Sequence, residues 1–184
     1  LSEEGAREIL GLTPFFEGKS DNLLNVTAPV HRPEDNPLEG AFYAWVHPDP
    51  ATGEGSYPIV FDSVDFAAQR DRELPFLAGV RLSGFARELT AYPSAEAYSA
   101  ASRQGDKMQL GPQAFIPMGL FATASEEGAG NGTQAPSSTA ILTGRVLEHR
   151  LLVNEATAQN YHGLLVESLE GWYDIVADRS VVSG

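Results

Sequence analysis

Over residues 139–178 apolar and polar positions alternate with the period of two that strand geometry imposes. Ile141, Thr143, Arg145, Leu147 and His149 share one face of an extended segment, and Leu142, Gly144, Val146, Glu148 and Arg150 share the other. Neither face is wholly apolar, so the pattern predicts a long strand that is buried only in places. Residues 154–160 are small and polar, as in an exposed loop. A second strand is expected over 161–168, where His162, Leu164 and Val166 alternate with Tyr161, Gly163, Leu165 and Glu167. Leu169-Glu170-Gly171 is short enough for a hairpin, with Gly171 expected to supply the positive φ of the turn. In the third strand, 172–178, Tyr173, Ile175 and Ala177 point inward, and Trp172, Asp174, Val176 and Asp178 point outward. The product is a three-stranded meander.

The rest of the chain is less regular. A short helix is expected at 3–10, capped by Ser2 and stopped by Gly11. Pro14, Pro29, Pro33 and Pro37 interrupt residues 1–40, which read as an irregular N-terminal segment anchored by Phe15 and Phe16. Residues 41–47 and 57–62 form a hairpin around the turn-rich Pro48 to Gly55 tip. A helix is possible over 64–72, residues 78–90 read as extended, and Ser94 caps a helix over 95–103. Pro117 confines the apolar 114–121 segment to an edge or a bulge. Rich in Ser, Gly, Ala and Thr, residues 122–139 read as a flexible loop. The short match of Leu82-Ser83-Gly84 to Leu142-Thr143-Gly144, with Glu88 and Glu148 at the same offset, hints at internal repetition. The expected organisation is one composite domain over 1–184.

A long first strand bent at Gly144, followed by two hairpin strands, resembles the first half of an OB-fold. The resemblance covers about forty residues, notably Leu142-Thr143-Gly144-Arg145-Val146 and Tyr173-Asp174-Ile175-Val176-Ala177. It implies a mainly β, β-rich α+β protein: an OB-like or other small β-barrel with short peripheral helices and long loops.

Composition narrows the function classes. With 42% hydrophobic and 20% charged residues, this is the make-up of a soluble globular chain. No run approaches the ~18 apolar residues of a membrane-spanning helix. The absence of cysteine excludes disulfides, thiolate metal sites and a cysteine nucleophile. A net charge of −13 disfavours non-specific nucleic-acid binding, which depends on Lys and Arg neutralising phosphates. Location stays open between the cytoplasm, which is slightly favoured, and an exported mature chain.

Motif searches identify no catalytic residue, metal site or cofactor. Gly18-Lys19-Ser20 has the ending of a phosphate loop, but Thr13 stands where its first glycine belongs and Pro14 interrupts the expected strand. The Gly128, Gly130 and Gly132 cluster lacks the pattern of a dinucleotide site. His31 and His47 fall in expected loops. His149 and His162 lie on paired strands, near enough in principle to bind a metal with Asp174 or to act as acid and base, although hydrogen-bonded surface histidines are commoner.

Two binding hypotheses follow, with a hydrolase of unrecognised site third. The first is a non-enzymatic protein-interaction or assembly module, using strand edges and an aromatic surface near Tyr43 and Trp45, with a protein partner or self-association. The OB resemblance implies the second: single-stranded nucleic acid or another chain-like ligand stacked on Tyr161 and Trp172, with Arg145, Arg150, His149 and His162 nearby.

Overall fold

The computed structural model describes residues 11–32, 36–104, 110–121, 123–124, 133–169 and 171–183. The helix expected at 3–10 and the Gly128 to Gly132 cluster lie outside them.

The chain is mainly β. Strands β1 (Asn22–Val30), β2 (Ala41–Val46), β3 (Tyr57–Asp62) and β4 (Phe76–Val80) form an antiparallel sheet in the order β3-β2-β1-β4. The irregular segment expected over 1–40 is therefore corrected: β1 is a central strand. Two features disguise it in the sequence. A register shift between Val26 and Ala28 breaks the alternation. Pro29 lies beyond the Asn22 to Val26 stretch that pairs with β4, so its missing N–H breaks no ladder on that side.

The other elements follow the expected order with shorter bounds. Helix α1 is only Phe66–Gln69, and the extended 78–90 stretch divides between the end of β4, β5 (Ser83–Phe85) and β6 (Leu89–Thr90). Helix α2 runs Ala95–Gln104, where Ser94 Oγ accepts from the N–H of Ala97, as its capping role requires. Strand β7 (Ala114–Pro117) follows, then the short antiparallel pair β8 (Thr123–Ala124) and β9 (Thr133–Gln134) within the span read as a loop.

The long strand expected after residue 139 is present but broken at Gly144. Strand β10 (Ala140–Thr143) pairs with β7, whereas β11 (Arg145–Val153) pairs with β12 (Asn160–Ser168). A Cβ on Gly144 would come within 2.5 Å of the Glu167 carbonyl oxygen and Val166 Cγ1, so the crossing between sheets needs glycine there. Strand β13 (Gly171–Asp178) completes the antiparallel meander, and β5 adds to it in parallel, giving the order β11-β12-β13-β5. After a 3-10 turn at Arg179–Val181, β14 (Val182–Ser183) pairs with β6. Among the described residues the sheets remain separate and no closed barrel forms.

One core serves both four-stranded sheets. Leu24, Val26, Phe42, Ala44, Val46, Tyr57 and Ile59 cluster with Tyr173 from the meander, and Phe115 and Leu142 pack against them. The Phe115 ring is stacked between Tyr57 and Tyr173, with centroids 5.1 and 5.4 Å away. Aromatic packing of this kind adds directional preference to apolar burial.

Candidate functional site

Strand β11 is the outermost strand of the meander sheet, with β12 on one side and no ladder partner on the other among the described residues. An edge strand presents unpaired N–H and C=O groups, and short length or charge usually protects it. This one is nine residues long, with Val146, Leu151 and Val153 each more than half exposed. A register shift between Val146 and Glu148 makes Leu147 the bulged residue. Beyond the bulge, His149, Leu151 and Val153 share one face, and Glu148, Arg150 and Leu152 the other.

Antiparallel pairing of Leu151 with His162 brings His162 onto the face of His149. His149 Nε2 lies 2.8 Å from His162 Nδ1, with ring centroids 5.0 Å apart and planes at 24°. That centroid separation is close to the N···N distance plus two ring radii. The rings therefore meet edge to edge, nitrogen facing nitrogen, and one nitrogen must donate while the other accepts.

Asp174 does not join the pair. It lies opposite Leu165, whereas His162 lies opposite Ala177, so Asp174 and His162 occupy different faces of the sheet. The outward orientation expected for Asp174 is corrected too, because this residue is only 2% exposed. Its Oδ1 accepts from the N–H of Lys19 at 3.0 Å, and its Oδ2 accepts from the N–H of Ser20 at 2.7 Å. Gly18-Lys19-Ser20 thus does cradle an anion through its backbone, but the anion is the chain's own carboxylate. A side chain on Gly18 is excluded, since its Cβ would stand 2.0 Å from Asp174 Oδ2.

The same segment covers more of this face. Phe16 meets Tyr161 edge-to-face at 6.3 Å and lies over Gly163, and Lys19 pairs with Glu148. Trp172 stays 47% exposed at the far end, opposite Glu167. Arg145 is held by Glu167 at 2.9 Å, and Arg150 is exposed on β11. The structure thus brings His149 and His162 together, with Arg150 beside them on the opposite face, while Tyr161 and Trp172 lie at opposite ends of β12 and β13. Tyr43 and Trp45 are half-buried on β2, a central strand of the other sheet, and Tyr43 packs against the Val30, Ala41 and Val60 cluster.

A second polar group escapes sequence reasoning. Asn22 Oδ1, His47 Nε2 and the Tyr173 hydroxyl are buried without a hydrogen bond to any described residue, and all three converge on Gly171. A Cβ there would lie 3.0, 3.5 and 3.2 Å from them, respectively. A Cβ on Gly171 would therefore crowd the cluster by a few tenths of an ångström. His47 adopts φ of 50°, unusual for a residue with a Cβ, and its N–H donates to the Leu23 carbonyl. Asn22 also donates through Nδ2 to the Trp172 carbonyl at 2.9 Å, so the cluster ties the two large sheets together. Only tertiary placement reveals it, because His47 is read locally as a loop residue before Pro48.

Among titrating carboxylates, Asp178 is held below the usual aspartate range, chiefly by the donating Ser180 hydroxyl, with the Ser180 N–H, Arg179 and His162 also contributing. No group of three or more metal-ligating side chains assembles among the described residues, and none of their helices is long and apolar enough to cross a membrane. Compared with known proteins, the chain matches no family model, no curated protein and no solved structure.

Proposed function

We propose that this chain is a non-enzymatic assembly module that associates with a second copy of itself through β11. The observation that carries the reading is the long outer edge of the meander sheet, which has no ladder partner among the described residues and exposes Val146, Leu151 and Val153. Its sequence is also self-complementary. His149 is the central residue of Arg145–Val153. Two antiparallel copies centred on His149 would set each Glu148 opposite Arg150 of the other chain, with Leu147 opposite Leu151. Opposite charges across paired strands are favourable, and such two-fold pairing needs only one kind of surface. The bulge at Leu147 limits the regular part of this contact to its centre, which suits a reversible association.

A chain-like ligand laid along the Tyr161 to Trp172 face would have to displace residues 16–20, and the net charge of −13 would oppose a polyanion. An OB-like barrel enters the proposal only as far as the meander and its bent first strand support it. The two binding readings differ in their salt response. Nucleic-acid binding weakens steeply with salt because it rests on phosphate neutralisation, whereas a contact made mainly by strand pairing and apolar burial does not. Sedimentation equilibrium across concentration and salt tests this: a dimer is expected for the wild type and a monomer for Leu151→Lys. A wild-type monomer at every concentration would reject the reading.

A further inference from the structure

We infer that His149 and His162 form a two-histidine site for a divalent transition metal ion of the Cu2+, Ni2+ or Zn2+ class. The inference rests on the pair's geometry within one chain and does not require self-association. The two side chains stand on adjacent, hydrogen-bonded strands, so the backbone fixes their separation before any ion arrives. His149 Nε2 and His162 Nδ1 face each other at 2.8 Å. For tetrahedral Zn2+ with Zn–N of about 2.0–2.1 Å, two ligand nitrogens stand about 3.3 Å apart. The nitrogens therefore need to part by about 0.5 Å and, because they face each other head-on, the rings must also tilt so that both lone pairs converge on the ion. Rotation about the side-chain bonds of the exposed His149 supplies that movement without shifting either strand.

The proton balance is simple. In the metal-free pair one facing nitrogen carries the bridging hydrogen. Metal binding needs both facing lone pairs, so this proton moves through solvent to the other nitrogen of the same ring. Two neutral imidazoles then ligate with no net proton release. The protein supplies two ligands and water the rest: Asp174 is committed to Lys19 and Ser20 on the opposite face, and Asp178 Oδ1 accepts from Ser180. Imidazole ligation with open solvent positions favours Cu2+ over Ni2+ and Zn2+.

The test is isothermal titration of the untagged full chain with each metal salt alone, beside His149→Gln and His162→Gln. Because His162 is half-buried on the interior strand β12, the variants are checked for the wild-type melting curve. If one fails to fold, His149→Ala or His162→Ala replaces it. The expected result is saturation at no more than one ion per chain, with Cu2+ tightest and affinity reduced at least tenfold in each variant. Histidine C2–H resonances of both residues should shift together in the Zn2+ titration. Saturable binding absent up to about 1 mM metal, or unchanged in either variant, would overturn the inference. Persistence of binding in monomeric Glu148→Arg, whose new side chain lies on the opposite face of β11, would separate it from the assembly proposal.

Discussion

Replacing Asp174 by alanine should release the segment that closes one face of the meander. The carboxylate is 2% exposed and accepts two backbone N–H groups, from Ser20 at 2.7 Å and from Lys19 at 3.0 Å. A hydrogen bond to a charged group contributes about 1.5–3 kcal/mol net, so losing both costs about 3–6 kcal/mol. Against a typical domain stability of about 5–15 kcal/mol, that is a large share. Gly18→Ala attacks the same contact from the other side, because the new Cβ would overlap the carboxylate and 18–20 would have to move away. Both variants are compared with the wild type by urea unfolding followed through tryptophan fluorescence, Trp172 being adjacent to Asp174. Limited proteolysis should also cut near residues 18–20 in both variants before it cuts the wild type. A loss below about 1 kcal/mol for Asp174→Ala would refute the claim that this carboxylate holds the segment, since it falls short of even one such bond.

Two further perturbations follow from the geometry. Gly144→Ala places a Cβ within 2.5 Å of the Glu167 carbonyl oxygen, so the turn from β10 into β11 must distort; a fall in stability of at least about 1–3 kcal/mol is expected in urea unfolding, and an unchanged midpoint would show that the crossing does not need glycine. The Asp65 carboxyl is held below its ordinary value of 3.8, chiefly by the Ser63 hydroxyl that donates to it. A lowered native value stabilises the fold above the unfolded-state pKa, and this contribution is lost as pH falls through the native one. Ser63→Ala should therefore be less stable than the wild type near neutral pH, with the gap narrowing below about pH 4; a gap that widens in acid would reverse the sign of the argument.

How far the sequence could be read depended on whether alternation ran unbroken. The meander was legible because 161–168 and 172–178 alternate without interruption, and because Gly144 marks the bend. Strand β1 was hidden by the register shift after Val26 and by Pro29, although Leu24 and Val26 are among its core residues. The approach of His149 to His162 was legible from strand pairing. The separation of Asp174 from them was also within reach: a tight turn pairs Ser168 with Gly171, which puts Ala177 opposite His162 and Leu165 opposite Asp174. What no local pattern carried was the meeting of distant segments. The backbone of 18–20 closing on Asp174 and the convergence of Asn22, His47 and Tyr173 over Gly171 join residues about 150 and 125 positions apart, and only the packed core of both sheets positions them.

Antiparallel self-pairing of β11 about His149 fixes what happens when two charge variants are mixed. Glu148→Arg puts arginine opposite arginine in a self-pair, and Arg150→Glu puts glutamate opposite glutamate, so each variant alone should sediment as a monomer. An equimolar mixture restores opposite charges at every one of these contacts. A heterodimer is expected from the mixture under conditions where neither variant self-associates and the wild type is dimeric. A mixture that stays monomeric beside a dimeric wild type, or variants that dimerise alone as well as the wild type, would contradict it.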